Sequence, residues 1–348
     1  MPSDTCIACN QACLDHVFEQ KTASCLVNPR ACNETELNYL PAKNIKKIAV
    51  VGAGPAGLAF ATVAAGRGHE VTLYDAADKI GGQFNMAKQI PGKEEFYETL
   101  RYYQKQLELQ KVDVQLNTKV DTAYLLKKNY DEVVLATGVE PRKIKIEGLE
   151  HPKVLSYIDV LAKKKEVGKT VAIIGAGGIG FDVAEYLSHD PNEVSNSLDI
   201  NAFLEDWGVN KDYNKERGGL EDSPHKKVHS ARELYLLQRS EGKLGAKLGK
   251  TTGWIHRSTL RKKGVNMLGG VTYHKIDDEG LHISIKEKKQ VLAVDNVVIC
   301  AGQVPLRTLL EPLEAAEVIV HLIGGADKAA QLDAKRAIDQ ASRLAAEV

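Results

Sequence analysis

The chain carries no net charge: 46 Lys and Arg offset 46 Asp and Glu over 348 residues, giving a pI near 7.1. Nucleic acids and anionic membranes are bound by surplus basic charge, so neither is expected as a partner. No apolar run approaches the ~18–20 residues that cross a bilayer. The first ten residues lack both the basic and the apolar region of a secretory leader, which points to a cytoplasmic protein. Cysteine is almost missing beyond residue 32, Cys300 being the only later one of six. A disulfide framework, which would spread its crosslinks along the chain, is thereby excluded. What remains is ordinary globular composition, 43% hydrophobic and 26% charged, long enough for about two domains.

The crowded cysteines are informative. Cys6, Cys9, Cys13 and Cys25 read C-x2-C-x3-C-x11-C. Three thiolates within eight residues can converge on one small object, and a fourth can close the cage. Four thiolates hold iron–sulfur clusters. Structural zinc also takes four cysteines, usually as two separated C-x2-C pairs. Three plus one suits a [4Fe-4S] cluster better, with zinc as the alternative. Cys32 and Cys300 are left over and read as core residues.

Two stretches look alike. Residues 46–75 (KKIAVVGAGPAGLAFATVAAGRGHEVTLYD) and 169–187 (KTVAIIGAGGIGFDVAEYL) place Gly52, Gly54 and Gly57 and then Gly175, Gly177 and Gly180 in the same pattern, displaced by 123 residues. Each set follows a short apolar strand (48–51 and 171–174) and opens an Ala-rich helical pattern. In that setting the glycines are a dinucleotide fingerprint. The first permits the tight turn, the second lets backbone approach a pyrophosphate, and the third lets helix meet strand. The helix N-terminus adds free N–H groups and the positive end of its dipole.

The two units differ where a ribose would be read. The first unit's second strand ends at Asp75, a carboxylate suited to ribose hydroxyls. The corresponding strand of the second unit, Glu233–Leu237, ends in Gln238 and Arg239, with Lys243 nearby. An Arg pairs well with phosphate, so the second site is expected to prefer NADPH; the bland alternative is a solvated surface charge.

Further punctuation agrees. Residues 131–138 (DEVVLATG) and 295–302 (DNVVICAG) are buried-strand patterns ending in Gly138 and Gly302, each closing a nucleotide-binding unit. Gly81, Gly82 and Gln83 allow close backbone approach after the first unit's second strand. Residues 321–327 (HLIGGAD), ending in Asp327, precede a helical pattern over 330–345 and can present N–H groups to phosphate or ribityl oxygens. A polar excess over roughly 188–229 holds one amphipathic helix, Ile200–Trp207, and reads as a surface excursion. Trp254 and His256 either line the nicotinamide approach or are a core Trp and a surface His.

A nicotinamide gives up two electrons as hydride and an iron–sulfur cluster takes one at a time. A flavin can do both, so FAD is the expected occupant of the first site. No side-chain acid or base is needed, and no catalytic residue is nominated. The only C-x2-C precedes the first fingerprint, which argues against a disulfide reductase.

Residues 6–36, the paired fingerprints, QFNMAKQIPGKEEFYETLRYY and KLGKTTGWIHR resemble the bacterial NADPH-dependent 2,4-dienoyl-CoA reductase family, related to trimethylamine dehydrogenase and the old yellow enzymes. The resemblance runs over essentially the whole chain. It implies a route from NADPH through FAD, a [4Fe-4S] cluster and FMN to a 2,4-dienoyl-CoA in unsaturated fatty acid β-oxidation. It places Cys6, Cys9, Cys13 and Cys25 as cluster ligands, Gly52, Gly54, Gly57 and Asp75 at FAD, and Gly175, Gly177, Gly180 and Arg239 at NADPH. Members of that family begin with an FMN-binding (β/α)8 barrel of roughly 250 residues. Only five residues precede Cys6, so FMN, the thioester pocket and the catalytic acids are expected on a barrel in cis or in trans.

The expected fold is α/β with two Rossmann-like domains of the glutathione-reductase type. It divides into an iron–sulfur segment (1–44), an FAD domain (45–150 and 295–348) and an inserted NADPH domain (151–294). Two other functions compete: an independent electron-donor subunit like the small subunit of glutamate synthase, and a redox-sensing module without turnover.

Overall fold

A computed structural model describes residues 3–190, 192–212, 219, 230–329 and 333–348. Two five-stranded sheets, each parallel throughout, organise the chain. The first runs Ile319–Leu322, Glu132–Leu135, Lys47–Val51, Glu70–Tyr74, Asp113–Gln115 in spatial order. The second runs Val154–Ser156, Asn296–Ile299, Thr170–Ile174, Glu233–Leu237, Asn266–Leu268. Their central strands, KIAVV and TVAII, are buried at four of five positions. Strands covered on both faces read as continuous apolar runs rather than alternations, which is why the sequence showed them plainly. This is a Rossmann-type α/β architecture.

The fingerprint glycines lie where each central strand passes into its helix, Pro55–Gly66 or Gly178–Ser188. In both sheets the chain then fills one side before returning to the other. Ligands in open α/β sheets bind at such reversals, beyond the carboxyl ends of the strands.

The two sheets are joined by a two-stranded antiparallel ribbon, Val139–Pro141 against Gln303–Pro305, immediately after Gly138 and Gly302. Strand Asn296–Ile299 pairs with Thr170–Ile174 in the second sheet. The boundary expected at 295 is therefore too early, because these residues complete the second sheet before the chain returns to the first. A three-stranded antiparallel sheet (Val271–Asp277, Gly280–Ile285, Lys288–Leu292) that the sequence reading passed over covers the second sheet, packing Leu281, Ile283 and Leu292 near Ile174, Leu237 and Val297.

The cysteine segment shares a core with the first sheet. Ile7, Leu26 and Val27 are buried with Leu58, Leu100, Tyr103 and Ile338. The helix expected over 330–345 spans Ala334–Glu347, with Asp333 capping it by accepting the Arg336 N–H; residues 330–332 lie outside the described ones. The helix Ile200–Trp207 is present, and residues 213–218 and 220–229 of the excess around it lie outside the described ones. Among the described residues no helix is long and apolar enough to cross a membrane.

Candidate functional site

The first glycine turn is built by steric exclusion. Gly52 sits at φ +112°, and a Cβ there would lie 2.4 Å from the Ala136 carbonyl oxygen. A Cβ on Gly57 would fall 1.8 Å from the Gly52 oxygen. Gly54 differs: its backbone is extended and nothing lies within 4 Å of a Cβ there, so open space faces the helix N-terminus. Four segments close around that space. Gly81 N–H donates to the Ala53 carbonyl (2.7 Å), and a Cβ on Gly82 would approach the Gly54 Cα at 3.0 Å. A Cβ on Gly324 would lie 2.8 Å from Ala56 Cβ, and one on Gly325 would lie 2.8 Å from Val139 Cγ1 and 3.1 Å from the Gly138 carbonyl carbon, so HLIGGAD lies against the helix start. Asp75 accepts the Ala53 N–H at 2.6 Å and the Ala77 N–H at 2.8 Å, holding the turn while half-buried at the strand end. Gln83 occupies the position before the helix Phe84–Ala87, beside Gly82, without a side-chain cap. The Asp327 carboxylate is drawn back to Gln340 Nε2 (2.9 Å), whose amide oxygen also accepts the Gly324 N–H. The residues nominated around the first turn thus lie on segments that meet near the start of helix Pro55–Gly66.

The second turn repeats the steric pattern of the first. Gly175 has φ +113° and its Cβ would lie 2.6 Å from the Cys300 oxygen; one on Gly180 would lie 1.7 Å from the Gly175 oxygen. A Cβ on Gly177 or Gly178 would meet nothing within 4 Å. Gly52 N–H donates to the Tyr74 carbonyl, and Gly175 N–H to that of Leu237. Tyr74 therefore corresponds to Leu237, and Asp75 to Gln238. A neutral amide replaces the carboxylate, and Arg239 stands exposed one residue further on.

The four N-terminal cysteines converge. Cys6, Cys9, Cys13 and Cys25 line one cavity of about 40 Å³, with Ile7, Ala12, Leu26 and Val27 as its apolar walls. The left-handed residues Ala8 (φ 52°) and Asn10 (φ 58°) turn the chain between the first three. The Ala8 N–H points at Cys6 Sγ, 3.4 Å away. Burial raises the Cys9 thiol pKa; the Gln11 N–H opposes this, and Cys13, Cys25 and Cys6 add to it in turn. Cys32 is exposed, with φ +61°, so the core reading fails for it: its backbone N–H, bonded to Glu34 Oε1, holds a surface turn. Cys300 is buried as expected, and burial pushes its thiol far up.

The loop preceding helix Gly253–Lys262 contacts the cysteine segment, which the sequence did not reveal: Asp15 accepts hydrogen bonds from the Thr251 N–H and Oγ1, both at 2.8 Å. Trp254 is exposed against Trp207, and half-buried His256 bonds Glu185 Oε1 at 2.7 Å, so neither a core Trp nor a surface His is found.

The sequence pattern of the pyridine nucleotide-disulphide oxidoreductase family matches residues 46–325, both glycine turns included. The chain belongs to that family. It is an NAD(P)H-dependent flavoprotein oxidoreductase. This member carries no cysteine pair within 46–325, where Cys300 stands alone. Among its relatives, the metal reductase of Desulforamulus reducens is 32% identical over 327 residues, 93% of this chain and 47% of that protein. The glutamate synthase [NADPH] small chain of Bacillus subtilis is 35% identical over 39% of this chain and 31% of its own. The structure of a 2-naphthoyl-CoA reductase bound to 2-naphthoyl-CoA aligns with a TM-score of 0.83 at 27% identity, over 99% of this chain and 46% of that one. The matched stretch spans less than half the length of each of these.

A different group of potential ligands, Asp277, Glu279 and His282, has atoms within 4.8 Å of one another on the antiparallel sheet. Asp277 is already bonded to Lys275 (2.7 Å) and His282 (2.8 Å), so the group is satisfied as an ion-pair cluster.

Proposed function

We propose that this chain is the NADPH-oxidising electron-transfer unit of a larger reductase system, with FAD at the first glycine turn, NADPH at the second and a [4Fe-4S] cluster in the cysteine cage. A flavin supplies the exchange between two-electron nicotinamide chemistry and a one-electron iron–sulfur centre. The observation that carries the reading is the convergence of four cysteines on one apolar-walled cavity that shares its core with the first glycine turn.

The fit of each group rests on the residues present. Gly52, Gly54, Gly57, Gly82, Gln83 and Gly138 wall a crevice at a helix N-terminus, where backbone N–H groups favour phosphate. Asp75 has lone pairs left for ribose hydroxyls beyond the two N–H groups it accepts, and the turn ending at Asp327 closes the far side. At the second turn, Gln238 removes the carboxylate that would repel a 2′-phosphate and Arg239 offers a forked cation. For the cysteine cage, the spacing of three close thiols and one distant one suits a [4Fe-4S] cluster better than the two separated C-x2-C pairs usual for structural zinc. The corresponding domains are an iron–sulfur segment to about residue 44, an FAD domain of 45–150 completed after residue 299, and an NADPH domain between them.

The electron acceptor is a separate unit. An electron-donor role of the kind played by the small chain of glutamate synthase, 35% identical over 39% of this chain, is the preferred reading. The match to a 2-naphthoyl-CoA reductase favours a second, in which an FMN barrel, in cis or in trans, reduces a CoA thioester such as a 2,4-dienoyl-CoA. Anaerobically prepared protein with FAD should pass electrons from NADPH to an artificial dye acceptor and leave 2,4-dienoyl-CoA untouched. Failure of NADPH to bleach bound flavin would instead indicate a sensing module. Thioester reduction by this chain unaided would overturn the division of labour.

A further inference from the structure

The helix Leu14–Phe18 begins directly after Cys13, and what seats it is unusual. Five residues are too few to sustain a helix alone, and Cys13 provides no side-chain cap. Its apolar side chains face outward, with Leu14 46%, Val17 55% and Phe18 64% exposed. The one buried residue is the acid, Asp15, at 7%. Apolar burial therefore does not hold this helix down. Asp15 does, by accepting hydrogen bonds from the Thr251 N–H and hydroxyl. Gly249 makes room for it, since a Cβ there would lie 2.6 Å from Asp15 Oδ2. Lys250 Nζ adds a bond to the Phe18 carbonyl at 3.3 Å.

The receiving loop is itself fixed. Gly253 N–H donates to the Gly249 carbonyl (2.8 Å) and Arg257 to that of Gly245 (3.0 Å). His256 ties the following helix to Glu185, on the helix that opens at the second glycine turn. On the other side of the short helix, Lys335 reaches His16 Nε2 at 3.1 Å. The segment bearing Cys13 is thus pinned by polar contacts from a loop 236 residues away and a helix 319 residues away in sequence.

We propose that Asp15 is a positioning residue for Cys13: through Thr251 it holds that thiolate at the cage, and the KTTG stretch 250–253 serves as its receptor. The inference rests on the reading of the cage as a metal–sulfur site. Partners behind a ligand commonly change metal retention by roughly 10- to 100-fold.

The test compares Asp15→Ala, Asp15→Asn and Thr251→Val with the unaltered chain, all prepared anaerobically. Iron loss to a chelator should quicken by roughly 10-fold or more in Asp15→Ala and Thr251→Val. Asp15→Asn keeps an acceptor for Thr251 and should stay near the unaltered rate. After one-electron oxidation with ferricyanide, the faster variants should also show the EPR signal of an oxidised three-iron form, the mark of one released ligand, with FAD content unchanged. A second arm uses metal-free protein: thiol labelling read by mass spectrometry should quicken at Cys13 and not at Cys25 in Asp15→Ala. Iron loss or labelling unchanged in Asp15→Ala overturns the proposal, as does a uniform rise at every cysteine with loss of FAD. Absence of iron from the unaltered chain would sink the cage reading alone, leaving the labelling arm to judge Asp15.

Discussion

Gly177 and Gly180 stand three residues apart and should fail in opposite ways when replaced by Ala. Gly177 is extended (φ −87°, ψ −172°) and an added Cβ meets nothing within 4 Å. The fold should therefore lose less than about 1 kcal/mol, the scale of a weak N-cap change, with Tm moving by no more than ~2–4 °C. That Cβ would occupy the space a pyrophosphate needs to reach the helix N–H groups. Losing one charge-assisted hydrogen bond costs about 1.5–3 kcal/mol, a roughly 10- to 150-fold weaker nucleotide. At Gly180 the Cβ would lie 1.7 Å from the Gly175 oxygen, so helix and turn must separate. Overpacking of that kind costs about 1–3 kcal/mol or more, and Tm should fall clearly. Calorimetric titration with NADP+, beside thermal melts of the FAD-loaded protein, reads both quantities. Gly177→Ala binding NADP+ with undiminished affinity would refute the reasoning, for the open space would then have no ligand.

Three further outcomes are expected. Arg239→Ala should weaken NADPH far more than NADH, by roughly 10-fold or more as for other charge-assisted pairs; equal losses in fluorescence titrations would remove Arg239 from the phosphate site. Cys13→Ser should abolish iron–sulfur absorbance with FAD still bound, and unaltered iron content would show the ligand set to be wrong. Burial alone would lower the His256 pKa, but the hydrogen bond and charge of Glu185 outweigh it and raise it. A raised folded value contributes stability that is complete below the unfolded pKa near ~6.5 and is lost as pH climbs through the folded one. Melts from about pH 6 to 9 should therefore show the unaltered chain losing its advantage over His256→Gln with rising pH, and parallel curves would dismiss the pair.

The glycine turns were legible because their spacing forms a short motif: a Cβ on Gly57 would strike the Gly52 oxygen and one on Gly52 the Ala136 oxygen, while Gly54 leaves open space. The central strands and Glu233–Leu237 were legible as short apolar runs. The antiparallel sheet escaped notice although DDEG and KEKK mark its two turns, a hairpin signal that alternation around 271–292 would have confirmed. The pairing of Asn296–Ile299 was not readable, because the same apolar strand could close either sheet. Asp15 and Thr251 lie 236 residues apart, and nothing local to either announces the other. The cysteine spacing indicated a cage, and its depth against the first sheet's core came only from the fold.

The most direct measurement is anaerobic titration of the FAD-loaded protein with NADPH, followed by visible absorbance and low-temperature EPR. Bleaching of the flavin should be accompanied by the spectrum of a reduced iron–sulfur centre, in an amount matching the iron bound, and Cys25→Ser should erase that spectrum while the flavin still bleaches. A flavin that is fully reduced beside a cysteine segment containing no iron would contradict the account.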